Sequence, residues 1–232
     1  MCERCSLLSR SGLSRRRMLG AVSAALAVAA AGPAPSTTIS GDEALHRLIE
    51  GNARYVANTS TMRDFGAGRA SRVVTHRPVA SLLSCADARV GPEFIFNQGP
   101  GDLFVVRVAG NMLEQEGLAS LEYAAQFLGS PLIFVLGHSG CGAVDATIKV
   151  IKDNAALPGH LPELIDHIKP AVLAAQKTQP KDLLAASIAE NVRQNVQKVT
   201  AATPLLSDLI AARKVKVAGG VYDIATGKVT LV

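Results

Sequence analysis

The sequence predicts an α/β fold, with a central parallel sheet and helices on both faces. Three observations predict it. Short apolar segments alternate with segments of helical periodicity along most of the chain. The strand candidates are apolar throughout rather than alternating, as strands buried on both faces are. Two of them end at side chains that bind metals, Cys85 and His138, and ligands gather beyond the carboxyl ends of strands in open parallel sheets.

Each element has its own warrant. Ser40-Gly41-Asp42-Glu43 reads as a capping box, with a hydroxyl at the N-cap and a glutamate three residues on. Ala44, Leu45, Leu48, Ile49 and Val56 then follow helical spacing. Residues 57–78 are polar and glycine-bearing and read as a loop with a short helix. Val79 to Ser84 is an apolar run that fits a buried strand ending at Cys85, and Leu103 to Ala109 is a second strand. Gln115 to Leu128 is a helix stopped by Gly129, and Leu132 to Leu136 is a third strand ending just before His138. Helices are expected over 141–153, 161–177, 182–201 and 204–213. Lys214 to Val221 and Lys228 to Val232 are late strands joined through a turn at Ala225-Thr226-Gly227. There is no internal repeat.

The 232 residues suit one good-sized domain, and 48% hydrophobic with 19% charged residues excludes a disordered chain. Residues 1–34 stand apart from 35–232, the expected catalytic domain. Ser14-Arg15-Arg16-Arg17-Met18-Leu19 resembles the twin-arginine export signature, a mildly apolar alanine-rich run follows to Ala31, and Ala29-Ala30-Ala31 offers a cleavage site. Export by the twin-arginine machinery to the periplasm or beyond is therefore expected. Five of the 24 basic and one of the 19 acidic residues lie in 1–34, which leaves 19 and 18 in the remainder. The net charge of +5 thus belongs mostly to the leader and does not point to nucleic acid. The body of the chain has no apolar run of membrane-spanning length. Cys2 and Cys5 leave with the leader. Cys85 and Cys141 remain, and a twin-arginine substrate folds in the cytoplasm, where thiols stay reduced and can take metal before export.

Cys85, His138 and Cys141 form a split ligand set. His138 and Cys141 are three apart across a glycine turn, and Cys85 comes from a neighbouring strand end. Two thiolates and one imidazole suit zinc, and a three-ligand set leaves a fourth, open position, as catalytic zinc sites do. Asp87 has two possible roles: it accepts a hydrogen bond from a zinc-bound hydroxide, or it binds the metal and fills the open position. Arg89 bears on this, because a guanidinium forked onto the carboxylate keeps it off the metal. Two thiolates offset the charge of the ion, so its bound water should titrate above ~7 and activity should rise through mildly alkaline pH.

These residues resemble a β-class carbonic anhydrase. The resemblance rests on Cys-Ala-Asp-Ala-Arg-Val (85–90), Gly-Asp-Leu-Phe-Val-Val-Arg-Val-Ala-Gly-Asn (101–111), Ser-Leu-Glu-Tyr-Ala (120–124) and Gly-His-Ser-Gly-Cys-Gly-Ala (137–143), with weaker support at 48–55 and 222–229. It implies one zinc ion per chain on Cys85, His138 and Cys141, the Asp87–Arg89 dyad, and reversible hydration of CO2 to bicarbonate and a proton. It also implies a four-stranded parallel core with an added strand, in an obligate homodimer that can build larger assemblies. Phe104 and Tyr123 match positions lining a small substrate pocket at the dimer interface, and Gly142 matches a residue close to the metal.

Two departures stand out. His76 occupies a position where many members carry a hydrogen-bonding glutamine, and it can donate the same bond, shuttle protons near pH 7, or block the pocket. The chain has no Trp, which puts in doubt a non-catalytic bicarbonate site known in one branch of the family. His46, His160 and His167 match no motif position and are expected to be exposed. Competing functions are hydrolysis of CS2 or COS on the same fold, a zinc protein closed by Asp87, and a thiol-redox protein.

Overall fold

The computed structural model describes residues 39–232, apart from 63, 67 and 75. The export signal expected over 1–34 lies outside the described residues. Helix α1 (Gly41–Val56) begins at the expected capping box: the Ser40 hydroxyl accepts from the Glu43 N–H at 3.2 Å, and the Glu43 carboxylate accepts from the Ser40 N–H at 2.7 Å. The short α2 (Arg69–Val74) falls within the expected loop. Then follow β1 (Ala80–Ser84), α3 (Pro92–Ile95), β2 (Leu103–Arg107), a 3-10 turn (Ala109–Asn111), α4 (Gln115–Phe127) and β3 (Leu132–His138). The chain continues through α5 (Gly142–Asp153), α6 (Leu161–Lys177), α7 (Leu183–Thr200), α8 (Leu205–Ala211), β4 (Lys216–Tyr222) and β5 (Val229–Leu231).

The strands form one sheet in the order β2-β1-β3-β4-β5. The first four are parallel, and β5 is antiparallel to β4, which is the expected parallel core with an added strand. Every residue of β1 and β3 is buried. Alternate side chains feed two cores: Leu82, Phe134 and Leu136 pack with α1, while Leu83, Ile133 and Val135 pack with α4, α7 and α8. This double burial explains the uninterrupted apolar runs in the sequence. Asn52 ties the first layer together. Its side-chain amide donates to the carbonyls of Ile95 (3.1 Å) and Gly227 (2.8 Å), and its oxygen accepts from the Val229 N–H (2.9 Å).

Several boundaries differ from the sequence reading. The second strand stops at Arg107 rather than Ala109, because Gly110 and Asn111 take positive φ and turn the chain out of the sheet. The third strand does not end before His138 but runs through it. Gly137 pairs with Val221, and its missing Cβ admits Val192 of α7, whose Cγ2 would lie 2.6 Å from such an atom. The fourth strand starts at Lys216 rather than Lys214 and ends at Tyr222. Helix α3 was not read from the sequence at all. Among the described residues, no helix is long and apolar enough to cross a membrane.

Candidate metal centre

The chain folds β1 to one side of the sheet to make β2, then crosses back over β1 to make β3. The crevice at the carboxyl ends of β1 and β3 is therefore a topological switch point, where open α/β sheets bind ligands. Ser84 pairs with Leu136, so Cys85, just past the end of β1, comes level with Gly137 and next to His138, the last residue of β3. Beyond His138 the chain turns at Gly140 (φ +64°). The turn is pinned to the end of β4: the Ser139 N–H donates to the Tyr222 carbonyl (2.8 Å), and the Ser139 hydroxyl accepts from the Ile224 N–H (3.0 Å). Cys141 then caps α5. The result brings one donor atom each from Cys85, His138 and Cys141 within 4.8 Å of one another, all three residues buried.

The imidazole is prepared for a metal. Its Nδ1 lies 3.0 Å from the Ser139 carbonyl, which can only accept, so the proton belongs on Nδ1. That leaves Nε2 as a bare acceptor, and it is buried without a hydrogen-bond partner. Both thiols are free. Cys141 beside Cys85 holds the Cys85 thiol far below its usual range, while the same contact, aided by burial, pushes Cys141 up. Burial pushes His138 down, but the neighbouring Cys85, the Ser139 carbonyl and Asp87 outweigh it and hold the ring above its ordinary value. An orphaned imidazole nitrogen beside two free, buried thiols fits zinc, whose preferred ligands are these.

Asp87 lies at the edge of this group, its Oδ2 3.9 Å from His138 Nε2. Both its oxygens are taken. Arg89 Nε donates to Oδ1 at 3.0 Å and Nη2 to Oδ2 at 2.7 Å, and the Arg89 N–H adds a bond to Oδ1 at 2.9 Å. This is the forked pair the sequence predicted, and it holds the Asp87 carboxyl far below the usual carboxylate range. Arg107 was not singled out from sequence. It clamps the same segment, donating to the carbonyls of Cys85 (3.0 Å) and Asp87 (2.7 Å). Its signal was an arginine within an otherwise apolar strand. Also missed was the Gly110 N–H, which donates to Cys85 Sγ at 3.2 Å.

The expected pocket residues are placed less uniformly. Phe104 on the edge strand β2 and Tyr123 on α4 meet at 6.3 Å between ring centres, and Phe127 continues the row at 5.4 Å from Tyr123. Tyr123 is 49% exposed. Gly142 opens α5 beside the last ligand, and a Cβ there would meet nothing within 4 Å. His76 is exposed, in the stretch leading into β1, and takes no part in the hydrogen bonds just described. His46, His160 and His167 are exposed, as expected.

Comparison with known proteins gives a consistent result. Residues 80–229 match the family model described as carbonic anhydrase. A carbonic anhydrase of Mycolicibacterium smegmatis is 36% identical over 188 residues, covering 79% of this chain and 89% of that protein. Carbonic anhydrase 2 of Mycobacterium tuberculosis is 35% identical with the same coverage. Among solved structures, the β-carbonic anhydrase CcaA superposes with a TM-score of 0.63 at 26% identity, covering 82% of this chain and 87% of that one. A Coccomyxa β-carbonic anhydrase in complex with acetazolamide gives 0.63 at 26% identity, covering 81% and 86%.

Proposed function

This chain belongs to the carbonic anhydrase family with the fold of its β class, and from that premise we propose that it holds one zinc ion on Cys85, His138 and Cys141 and works through Asp87 and Arg89. The family's reaction is the hydration of CO2 to bicarbonate and a proton. The observation that carries the zinc reading is the convergence of one donor atom each from His138, Cys85 and Cys141 within 4.8 Å, with the His138 Nε2 buried and unpartnered.

The metal would supply Lewis acidity and an activated water for attack on CO2. The residues do the rest. Asp87 presents a carboxylate that accepts a hydrogen bond beside the ligand group and so orients a proton-bearing oxygen there. Arg89 holds that carboxylate ionised and occupies both its oxygens, which would keep it off the metal and the fourth position open. Arg107 anchors the carbonyls of Cys85 and Asp87, so ligand and acceptor keep a common frame. Gly142 leaves space beside Cys141 for a small substrate.

The row Phe104–Tyr123–Phe127 beside the edge strand β2 supports a homodimer, with Phe104 and Tyr123 lining the substrate pocket where two copies meet. His76, exposed in the single chain, would act at the substrate pocket as hydrogen-bond donor or proton shuttle, or would block it. The leader read from Arg15-Arg16-Arg17 sends the folded protein through the twin-arginine route to the periplasm. The deciding experiment is stopped-flow CO2 hydration at pH 8.5 on protein with one measured zinc per chain. Turnover that Asp87→Ala or Cys141→Ser abolishes supports the reading, and full zinc loading without turnover refutes it. Light scattering of the same sample tests the dimer, N-terminal sequencing of a periplasmic fraction tests the export, and His76→Gln with an unchanged rate and buffer dependence removes His76 from the site.

A further inference from the structure

Behind the ligand group, α7 buries a polar ladder on its otherwise apolar inner face. Ser187, Asn191 and Asn195 lie one turn apart among Ile188, Val192 and Val199, and all are buried. Burying an amide there costs free energy unless it is bonded. The two asparagines spend their donors on one target. Asn191 Nδ2 donates to the Gly110 carbonyl at 2.8 Å, and Asn195 Nδ2 to the Asn111 carbonyl at 3.3 Å. Asn195 also reaches back to the Asn191 carbonyl at 2.9 Å, which joins the two.

The turn they grip is an unusual one. Gly110 and Asn111 take successive left-handed conformations, φ +71° and +43°, and Asn111 is not a glycine. Such a conformation persists only when surroundings over-determine it. The turn is also pressed close to the helices around the site: a Cβ on Gly110 would lie 2.5 Å from Ile168 Cδ1 and 3.2 Å from Ala143 Cβ. The functional product of this geometry is the Gly110 N–H, aimed at Cys85 Sγ at 3.2 Å.

We propose that Asn191, with Asn195 behind it, is a positioning residue for the metal: it locks the 109–111 turn so that the Gly110 amide donates to the Cys85 sulfur, fixing that ligand and moderating its charge. This rests on the zinc reading above. Partners that orient a metal ligand from outside typically alter metal affinity ~10–100-fold when removed. The inference concerns residues 25 to 110 positions away from Cys85 in sequence, joined to it only through the fold.

The test compares wild type with Asn191→Leu, Asn191→Ser and Ser187→Ala. Leu matches the size of Asn without its donors, Ser opens room with a shorter one, and Ser187→Ala perturbs the same buried face without touching the turn. Zinc affinity is measured by competition with a chelator, and the thiolate-to-metal charge-transfer band is recorded after substitution with cobalt. Folding is followed by circular dichroism. Wild type must first bind one zinc per chain; if it does not, this inference falls together with the zinc reading. Given that, a folded Asn191 variant that binds zinc about 10–100-fold more weakly with a shifted band, while Ser187→Ala stays within twofold, supports the proposal. Zinc affinity and band within twofold of wild type in a folded Asn191 variant overturn it while leaving the zinc reading intact. Loss of folding in both Asn191 variants also overturns it, because the asparagine then holds the fold and not the ligand.

Discussion

In the proposed zinc site, Arg89 would separate an open site from one closed by its own aspartate, and replacing it with alanine tests that directly. The substitution removes the bonds from Nε to Oδ1 and from Nη2 to Oδ2. The Arg89 backbone N–H still holds Oδ1 at 2.9 Å, so the oxygen set free is Oδ2, the one 3.9 Å from His138 Nε2. A carboxylate oxygen that close to the donor group needs only a small rotation to become a fourth ligand. Two charge-assisted bonds are worth up to ~3 kcal/mol each when shielded. The Arg89 side chain is 56% exposed, so solvent screens much of that strength. The closed form should still gain on the order of tenfold over the open one. The expected result is a CO2-hydration rate in stopped flow that falls by about that factor at pH 8.5, with zinc content and melting temperature nearly unchanged. Cobalt-substituted Arg89→Ala should show a changed absorption spectrum as the carboxylate enters. Arg89→Lys should fall between, since an ammonium keeps the charge but cannot fork. A fully zinc-loaded Arg89→Ala that hydrates CO2 within threefold of wild type would refute the gate.

Three further outcomes follow from the geometry. Asn52→Leu strands two carbonyls and one N–H against the apolar core of α1 and β5, and should destabilise the fold by ~3–9 kcal/mol in denaturant titration at ~1–3 kcal/mol per orphaned group; a loss below ~1 kcal/mol means water reaches these groups. Gly142→Ala should leave stability equal or raise it by ~0.4–1 kcal/mol, because the added Cβ meets nothing within the chain, yet it should lower turnover by filling the space beside Cys141; parallel changes in both contradict the pocket assignment. On the proposed zinc reading the rate should climb from pH 7 to 9, because two thiolate ligands would offset the charge of the ion and leave a water on it a weaker acid than a set of neutral imidazoles would; a flat or falling profile contradicts the two-thiolate set.

What the sequence revealed, and what it hid, divides by the reach of the interaction. Cys85, Asp87 and Arg89 lie within five residues, and the fork between the last two is a contact of sequence separation two. Spacing alone could predict it. The capping box at Ser40 is equally local and appeared as expected. The meeting of Cys85 with His138 is long-range, yet it was legible because both sit at strand ends, and parallel strands bring their ends to one edge. No comparable rule reaches Arg107, Asn191 or Asn195. Their contacts span 20 to 84 residues, and each side chain read alone is ordinary.

The pattern on α7 did carry a trace. Ser187, Asn191 and Asn195 recur at intervals of four beside Ile188 and Val192, so a buried face with polar members was written in the periodicity. Periodicity says that such residues face inward but not what they bond. That is decided by Gly110 and Asn111, whose left-handed backbones follow Val108 and Ala109, two residues that read as strand although the chain has already left the sheet. The same failure that put the end of β2 two residues too late therefore concealed the residues behind Cys85. A local break in regular structure beside a candidate metal ligand frees backbone groups to bond something other than the sheet, and here one of them bonds the Cys85 sulfur itself.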